Sequence, residues 1–344
     1  MPKTEQIVTL LGQNNTPKIH FSGLVGSSIS FVIRSLFKKA ELPFLFILND
    51  KEEAAYYLND LEQMIGDQDV LFYPASFRRP YQIEETDNAN VLLRAEVLNR
   101  INSRKKPAII VSYPEALFEK VVTRKELDKN TLKVAVGEQI SIDFINEVLF
   151  EYEFKRVDFI TEPGEFSVRG GIVDVFSFSN DNPYRIEFFG NEVDSIRTFD
   201  VATQLSLEQQ KKIAIIPNVE NKFFQENRES FLDYISEKTV VFIQNTEGLL
   251  SQLDKQFAKA EEAFDKLSKD IKHARPEQLF LNQEQFIKRA LDFSVVELAS
   301  KAIFKTTKKF EFHIQPQPSF NKQFDLLLNN LNDNHFNGYK NYLF

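Results

Sequence analysis

Gly164-Glu165-Phe166-Ser167-Val168-Arg169-Gly170-Gly171-Ile172-Val173-Asp174-Val175-Phe176, continued by Pro183-Tyr184-Arg185-Ile186-Glu187-Phe188-Phe189-Gly190-Asn191-Glu192, is the stretch that divides this chain. Its short alternating runs, with Gly190-Asn191 as a two-residue turn, read as antiparallel strands. Strand side chains alternate between faces. Tyr184, Ile186 and Phe188 therefore share one face, and Arg185, Glu187 and Phe189 the other. Likewise Phe166 and Val168 oppose Ser167 and Arg169, while Gly170-Gly171 permits a bulge or a close backbone approach. If the apolar set faces a core, Arg169, Arg185 and Phe189 point outward, an aromatic anchor beside two carboxylate binders. That composition suits protein docking better than catalysis. A plainer arrangement stays open: Phe189 packed under a neighbouring loop, and the arginines paired with Glu187 or Asp174.

On both sides of this stretch the pattern changes. Upstream, to about Ala116, apolar runs alternate with amphipathic helices. Phe44-Leu45-Phe46-Ile47-Leu48, Val70-Leu71-Phe72-Tyr73 and Ala108-Ile109-Ile110-Val111-Ser112 read as buried strands, and Glu52–Met64 and Asn88–Ile101 as helices. Such alternation predicts a doubly wound parallel sheet. From Leu117 strands dominate: Leu132–Val136, Lys155–Thr161, Phe166–Val168, Ile172–Phe178, Tyr184–Phe189 and Glu192–Phe199, interrupted by one helix, Ser141–Phe150. From Ala202 the α/β pattern returns, with Ile213–Ile216 and Thr239–Ile243 as buried strands and Glu247–Ile271 as a long helix. The Asn-rich end, Asn329–Asn341, reads as frayed. The expected fold is α/β with a small α+β domain inserted: residues 1–116 a first α/β lobe, 117–201 the insertion, and 202–344 a second α/β part packing on the first.

With 344 residues and a net charge of −8, the chain has the composition of an ordinary globular protein and no general attraction for nucleic acid. Between Leu117 and Val201 there are 17 acidic and 10 basic residues, so most of the acidity sits in the insertion. Cysteine is absent, which excludes disulfides, cysteine zinc sites and thiol catalysis. The four histidines, His20, His273, His313 and His335, show no ligand spacing, so no metal site is expected. Without an apolar run of membrane-spanning length or a signal-like N-terminus, the expected location is cytoplasmic, with no membrane partner.

One segment invites a nucleotide reading. Gly23-Leu24-Val25-Gly26-Ser27-Ser28-Ile29-Ser30 joins a strand to a helix, as a phosphate-binding loop does. That loop needs G-x-x-x-x-G-K-[ST], in which backbone N–H groups cradle phosphates, the lysine supplies charge and the hydroxyl holds Mg²⁺. Gly23 and Ser30 match. Ser28 stands where the second glycine belongs and Ile29 where the lysine belongs. No Asp-Glu dipeptide occurs to form an acidic box. The loop keeps the turn without the chemistry.

Residues 165–176, with Pro183–Phe189, Glu192–Asp200 and Ile215-Ile216-Pro217, resemble the segment shared by the excision-repair protein UvrB and the bacterial transcription-repair coupling factors (Mfd), in the order found in the latter. The chain is similar to the N-terminal UvrB-homology module of the coupling factors, the match being densest from Val157 to Pro217. UvrB itself has an intact phosphate loop and a long tyrosine-rich hairpin. Here Ser28 and Ile29 break the loop, and the segment between Tyr73-Pro74 and Asn88 adds only Tyr81. The resemblance implies a UvrB-like, RecA-like parallel α/β lobe with a degenerate nucleotide site. It implies a non-catalytic module that binds UvrA, and it assigns the contact to Arg169, Arg185 and Phe189. ATP and Mg would serve only motor domains of a parent translocase, with RNA polymerase, DNA and C-terminal domains as partners of the parent. The alternative is a UvrB-like, nucleotide-dependent DNA-damage-binding protein.

Overall fold

The computed structural model describes residues 3–13, 15–76, 80–81, 88–103, 106–218, 228–267, 274–316 and 318–340. After α1 (Lys3–Leu11) the chain runs β1 (Lys18–Ser22), α2 (Ser28–Ala40), β2 (Phe44–Ile47), α3 (Lys51–Ile65), β3 (Val70–Phe72), α4 (Asn88–Ser103) and β4 (Ile109–Ser112). It continues through α5 (Pro114–Phe118), β5 (Val121–Val122), α6 (Arg124–Lys129), β6 (Leu132–Ala135) and α7 (Ile142–Glu151). Strands follow: β7 (Lys155–Arg156), β8 (Glu165–Arg169), β9 (Ile172–Val175), β10 (Tyr184–Phe189), β11 (Glu192–Phe199), β12 (Ser206–Gln209), β13 (Lys212–Ile215) and β14 (Arg228–Glu229). The rest is α8 (Phe231–Tyr234), β15 (Val240–Ile243), α9 (Thr246–Asp265), α10 (Pro276–Leu279), α11 (Gln283–Ala290), β16 (Ser294–Glu297), β17 (Lys308–Glu311) and α12 (Phe324–Phe336).

Seven of these strands form one parallel sheet in the order β17-β1-β16-β15-β2-β4-β3. Parallel strands are covered on both faces, so the central ones read as unbroken apolar runs. Every residue of β2, β4 and β15 is buried. Phenylalanine fills much of this space, with the rings of Phe44 and Phe242 4.8 Å apart on adjacent strands. The helices dock by apolar stripes at helical spacing, such as Ile29, Ile33, Leu36 and Phe37 on α2. Capping fixes where they start: Asp50 accepts the Glu53 N–H at 2.8 Å ahead of α3.

Strand order corrects the expected second lobe. β15 lies between β2 and β16, and β1 between β16 and β17, so the early and late α/β stretches interleave in one sheet instead of packing as two. The sequence shows β16 and β17 poorly. The first is short, and the second is an edge strand with only Phe310 turned inward.

A six-stranded sheet, β12-β11-β10-β9-β8-β7, is antiparallel except for β7 beside β8. Its inner face buries Phe166, Val173, Val175, Ile186, Val193 and Ile196. Helix α7, capped by Ser141, lies on that face and brings Phe150 to 5.2 Å from Phe166. On the outer face Ile160, Phe176 and Phe199 form a separate apolar cluster.

Three details depart from the sequence reading. Residues past 201 extend the strand-rich region, because β12 joins this sheet and β13 pairs with β6 rather than entering the large sheet. All four β12 residues are exposed, and only Ile213 and Ile215 of β13 are buried, so neither strand has the continuous apolar run of the large sheet's central strands. Of the strand expected at Lys155–Thr161 only Lys155 and Arg156 pair. The expected frayed end contains α12, whose leucines and terminal Asp325 and His335 suit a helix even though none of its residues is buried. Residues 341–344 and the last part of the predicted long helix, 268–271, lie outside the described residues.

Candidate functional site

The register of the small sheet gathers the residues singled out in the sequence. β8 and β9 set Ser167 opposite Asp174 and Arg169 opposite Ile172. β9 and β10 set Asp174 opposite Arg185 and Ile172 opposite Glu187, and β11 adds Arg197 and Ser195 across from Arg185 and Glu187. Directly opposed residues share a face, so one outer surface carries Arg169, Asp174, Arg185, Glu187 and Arg197. Two tight turns close the same end of the sheet. Gly170 and Gly190 sit there at φ +57° and +64°, a conformation costly for any residue with a Cβ. Arg169 and Phe189 precede these turns, so both leave the sheet at one edge.

Asp174 is the centre of the face. Its side chain is 2% exposed and accepts from Arg169 Nη2 at 2.6 Å, Arg185 Nε at 2.7 Å and Arg185 Nη2 at 2.8 Å. A buried carboxylate persists only when paired and hydrogen-bonded in this way. Arg185 is fully engaged: it also donates to Gln204 Oε1 at 3.2 Å and stacks over the Phe199 ring at 4.3 Å, leaving 14% of its side chain exposed. Arg169 keeps 43% of its side chain in solvent and lies 5.2 Å from the ring centroid of Phe159. The trio carries one net positive charge. Phe189 is 84% exposed. The arginines therefore pair with Asp174, and Phe189 stands free of any covering loop. The plainer arrangement describes the arginines but not Phe189. Arg185 holds the template, while Arg169 and Phe189 present themselves to solvent.

Beside them, Glu187 accepts from Arg197 Nη2 at 2.6 Å and Ser195 Oγ at 2.7 Å. These bonds, led by that from Arg197, hold its carboxyl at about 2. Because this lies below the ordinary value of 4.5, the pair contributes stability that is present above that value and lost as pH falls toward 2. Glu187→Gln should flatten this part of the acid limb. Denaturation midpoints of both chains at pH 5 and pH 2.5 check it. Equal losses on acidification would assign the limb to other carboxylates.

The candidate phosphate loop has other employment. Gly23, at φ +79°, passes so close to the chain leaving β17 that a Cβ would lie 1.8 Å from the Phe312 carbonyl oxygen. Ser28 Oγ accepts from the Val25 N–H at 2.9 Å and donates to the Val25 carbonyl at 2.6 Å. Ile29 is buried in the core, and Ser30, fully buried, donates to Asp60 Oδ2 at 3.0 Å. The loop is tied to α3 through Tyr57, whose hydroxyl reaches the Gly26 carbonyl at 3.3 Å, and Tyr56, 2.6 Å from Ser27 Oγ. The cleft above it, at the carboxyl ends of β1, β2, β15 and β16, is lined by Asn49, Glu53, Gln244 and Ser300 and by no lysine or arginine among the described residues. Glu53 accepts from Asn49 and Gln244 there, so a phosphate would meet a carboxylate.

Tyr81, the one tyrosine added before α4, donates to the Ala274 carbonyl at 2.8 Å and packs on Phe280 and Phe264. Most of its neighbours, residues 77–79 and 82–87, lie outside the described residues. Among the described residues no group of three or more His, Cys, Asp or Glu side chains is arranged to hold a metal, and no helix is long and apolar enough to cross a membrane.

Sequence reasoning named Asp174 only as one possible partner of the arginines and overlooked Phe159. Asp174 had a signal, since the strand register sets it opposite Arg185. Phe159 had none, because its segment reads as strand and instead folds across the outer face.

Comparison with known proteins locates this face within a recognised domain. Residues 132–221 match the family described as the UvrB interaction domain, and the face's strands β8 to β11 all lie inside it. The transcription-repair-coupling factor of Bacillus subtilis is 32% identical over 197 residues, 57% of this chain and 17% of that protein. That of Myxococcus xanthus is 29% identical over 218 residues, 61% of the chain and 18% of the relative, and that of Escherichia coli 26% over 194 residues, 56% and 17%. The match thus spans less than a fifth of the length of these curated relatives. The chain is accordingly similar, over part of its length, to the transcription-repair-coupling factors, and its residues 132–221 match the UvrB interaction domain.

Proposed function

We propose that this chain is a docking module that recruits UvrA to transcription-coupled nucleotide excision repair and performs no nucleotide chemistry itself. The observation that carries this reading is the outer face of the small sheet: Phe189 is exposed at the edge where Arg169, clamped through Asp174, presents a guanidinium to solvent. Aromatic residues and arginine are enriched at protein interfaces, and a side chain already ordered loses less entropy on binding. The degenerate loop supports the second half of the reading. Its hydroxyls are spent within the protein, Ile29 occupies the lysine position, and the nearby cleft presents Glu53. These features count against the alternative of a UvrB-like, nucleotide-dependent damage binder, as does the engagement of Tyr81 in packing.

The finer proposals follow the resemblance. The large sheet, with strands from residues 1–116 and 202–344, is a UvrB-like lobe carrying an inserted UvrA-binding domain. A parent protein would add ATP- and Mg-dependent motor domains that translocate on DNA, contacts to RNA polymerase, and C-terminal domains that cover the docking face, all in the cytoplasm. The test is gel filtration of the chain with purified UvrA, alongside an assay for ATP-dependent phosphate release by the chain alone. Co-elution without phosphate release is expected. Separate elution, or release that Ser30→Ala abolishes, would overturn the proposal.

A further inference from the structure

We propose that Phe159 is a second aromatic anchor of the docking face, so that UvrA grips Phe159 and Phe189 together at the edge presented by Arg169. This rests on the UvrA-docking reading of that face.

The segment after β7 leaves the sheet and crosses its outer surface under close control. Val157 N–H donates to the Phe166 carbonyl at 2.9 Å, and Ser167 Oγ donates to the Asp158 carbonyl at 3.2 Å. Ile160 is buried against Phe176 and Phe199. Beyond it, Glu165 Oε2 accepts from Thr161 N at 2.7 Å, Thr161 Oγ1 at 3.0 Å and Glu162 N at 3.1 Å. Burial raises the Glu165 carboxyl, but these bonds outweigh it and leave the group below its ordinary value, as expected of an ionised clasp. The chain is therefore pinned on both sides of Phe159 while Phe159 itself is 64% exposed. The contact recorded for its ring is the Arg169 guanidinium, 5.2 Å from the centroid. An exposed phenylalanine in a pinned loop, stacked with the most accessible arginine of the face, has the form of a pre-ordered anchor.

The charge pattern indicates what it meets. The Arg169–Asp174–Arg185 trio is net positive and the neighbouring Arg197–Glu187 pair is neutral, so the face presents its excess charge at the half-exposed Arg169. The complementary patch on UvrA has an apolar hollow for the rings with a carboxylate beside it for Arg169.

The test is titration of purified UvrA into the full chain and its Phe159→Ala, Phe159→Leu and Phe189→Ala variants, with circular dichroism to verify folding. Phe159→Ala should weaken binding about tenfold, and Phe159→Leu by less, because it keeps apolar area and loses only the ring. Normal binding by Phe159→Ala with weakened binding by Phe189→Ala would overturn the second anchor and leave the docking reading standing. Normal binding by every variant would overturn both.

Discussion

Asp174→Ala should destabilise the chain by about 3 kcal/mol, because removing the buried carboxylate that two arginines share leaves both guanidinium groups without their counter-charge. Asp174 has 2% of its side chain exposed and accepts three hydrogen bonds from two guanidinium groups. Arg185 is the worse stranded of the two, since it lies over Phe199 with 14% of its side chain exposed, whereas Arg169 can turn to water. Arg169→Ala should therefore be far milder than Asp174→Ala, and Arg185→Ala intermediate, because each leaves Asp174 one remaining arginine. Urea unfolding followed by circular dichroism measures the series. UvrA binding by Asp174→Ala should fall as well, although it touches no partner, since Arg169 loses its template. A loss below about 0.5 kcal/mol would mean that the clamp contributes nothing beyond an ordinary surface substitution.

That clamp also shows where the sequence is legible and where it is not. Strand parity alone turns Arg169, Arg185 and Phe189 to one face, because the period of two is dictated by the backbone and the glycine turns fix its ends. Parity does not tell whether an outward arginine reaches solvent or a neighbour. Here the answer differs between Arg169 and Arg185 because Asp174, one strand away, lies opposite Arg185. The buried runs Phe44–Ile47, Ile109–Ser112 and Val240–Ile243 announce a parallel sheet through their unbroken apolar character. Their order is invisible, since β15 must cross from the far end of the chain to sit beside β2. Phe159 is hidden for another reason: the side chains that pin its loop, Ile160 and Glu165, are ordinary strand-like residues until the fold brings them to the outer face. The departure of Ser28 and Ile29 from the phosphate-loop motif is readable from spacing, but the reason Gly23 is needed, the approach of Phe312, comes from nearly 300 residues away.

Phe189→Ala carries the second large effect. The ring is 84% exposed, so its loss should leave folding unchanged while removing an anchor from the docking face. Truncating a hot-spot aromatic costs about 2 kcal/mol or more of binding free energy, which is roughly thirtyfold in affinity. The same substitution in a purely structural surface position would change neither stability nor binding, so the outcome is specific to a partner. Titration of purified UvrA into the parent chain and into Phe189→Ala, with matched thermal melts, is the most direct measurement of whether this chain is a docking module. Saturable binding by the parent, weakened about thirtyfold or more in the variant at unchanged melting temperature, is the predicted result. Equal binding by the two chains, or no binding by either, would contradict it.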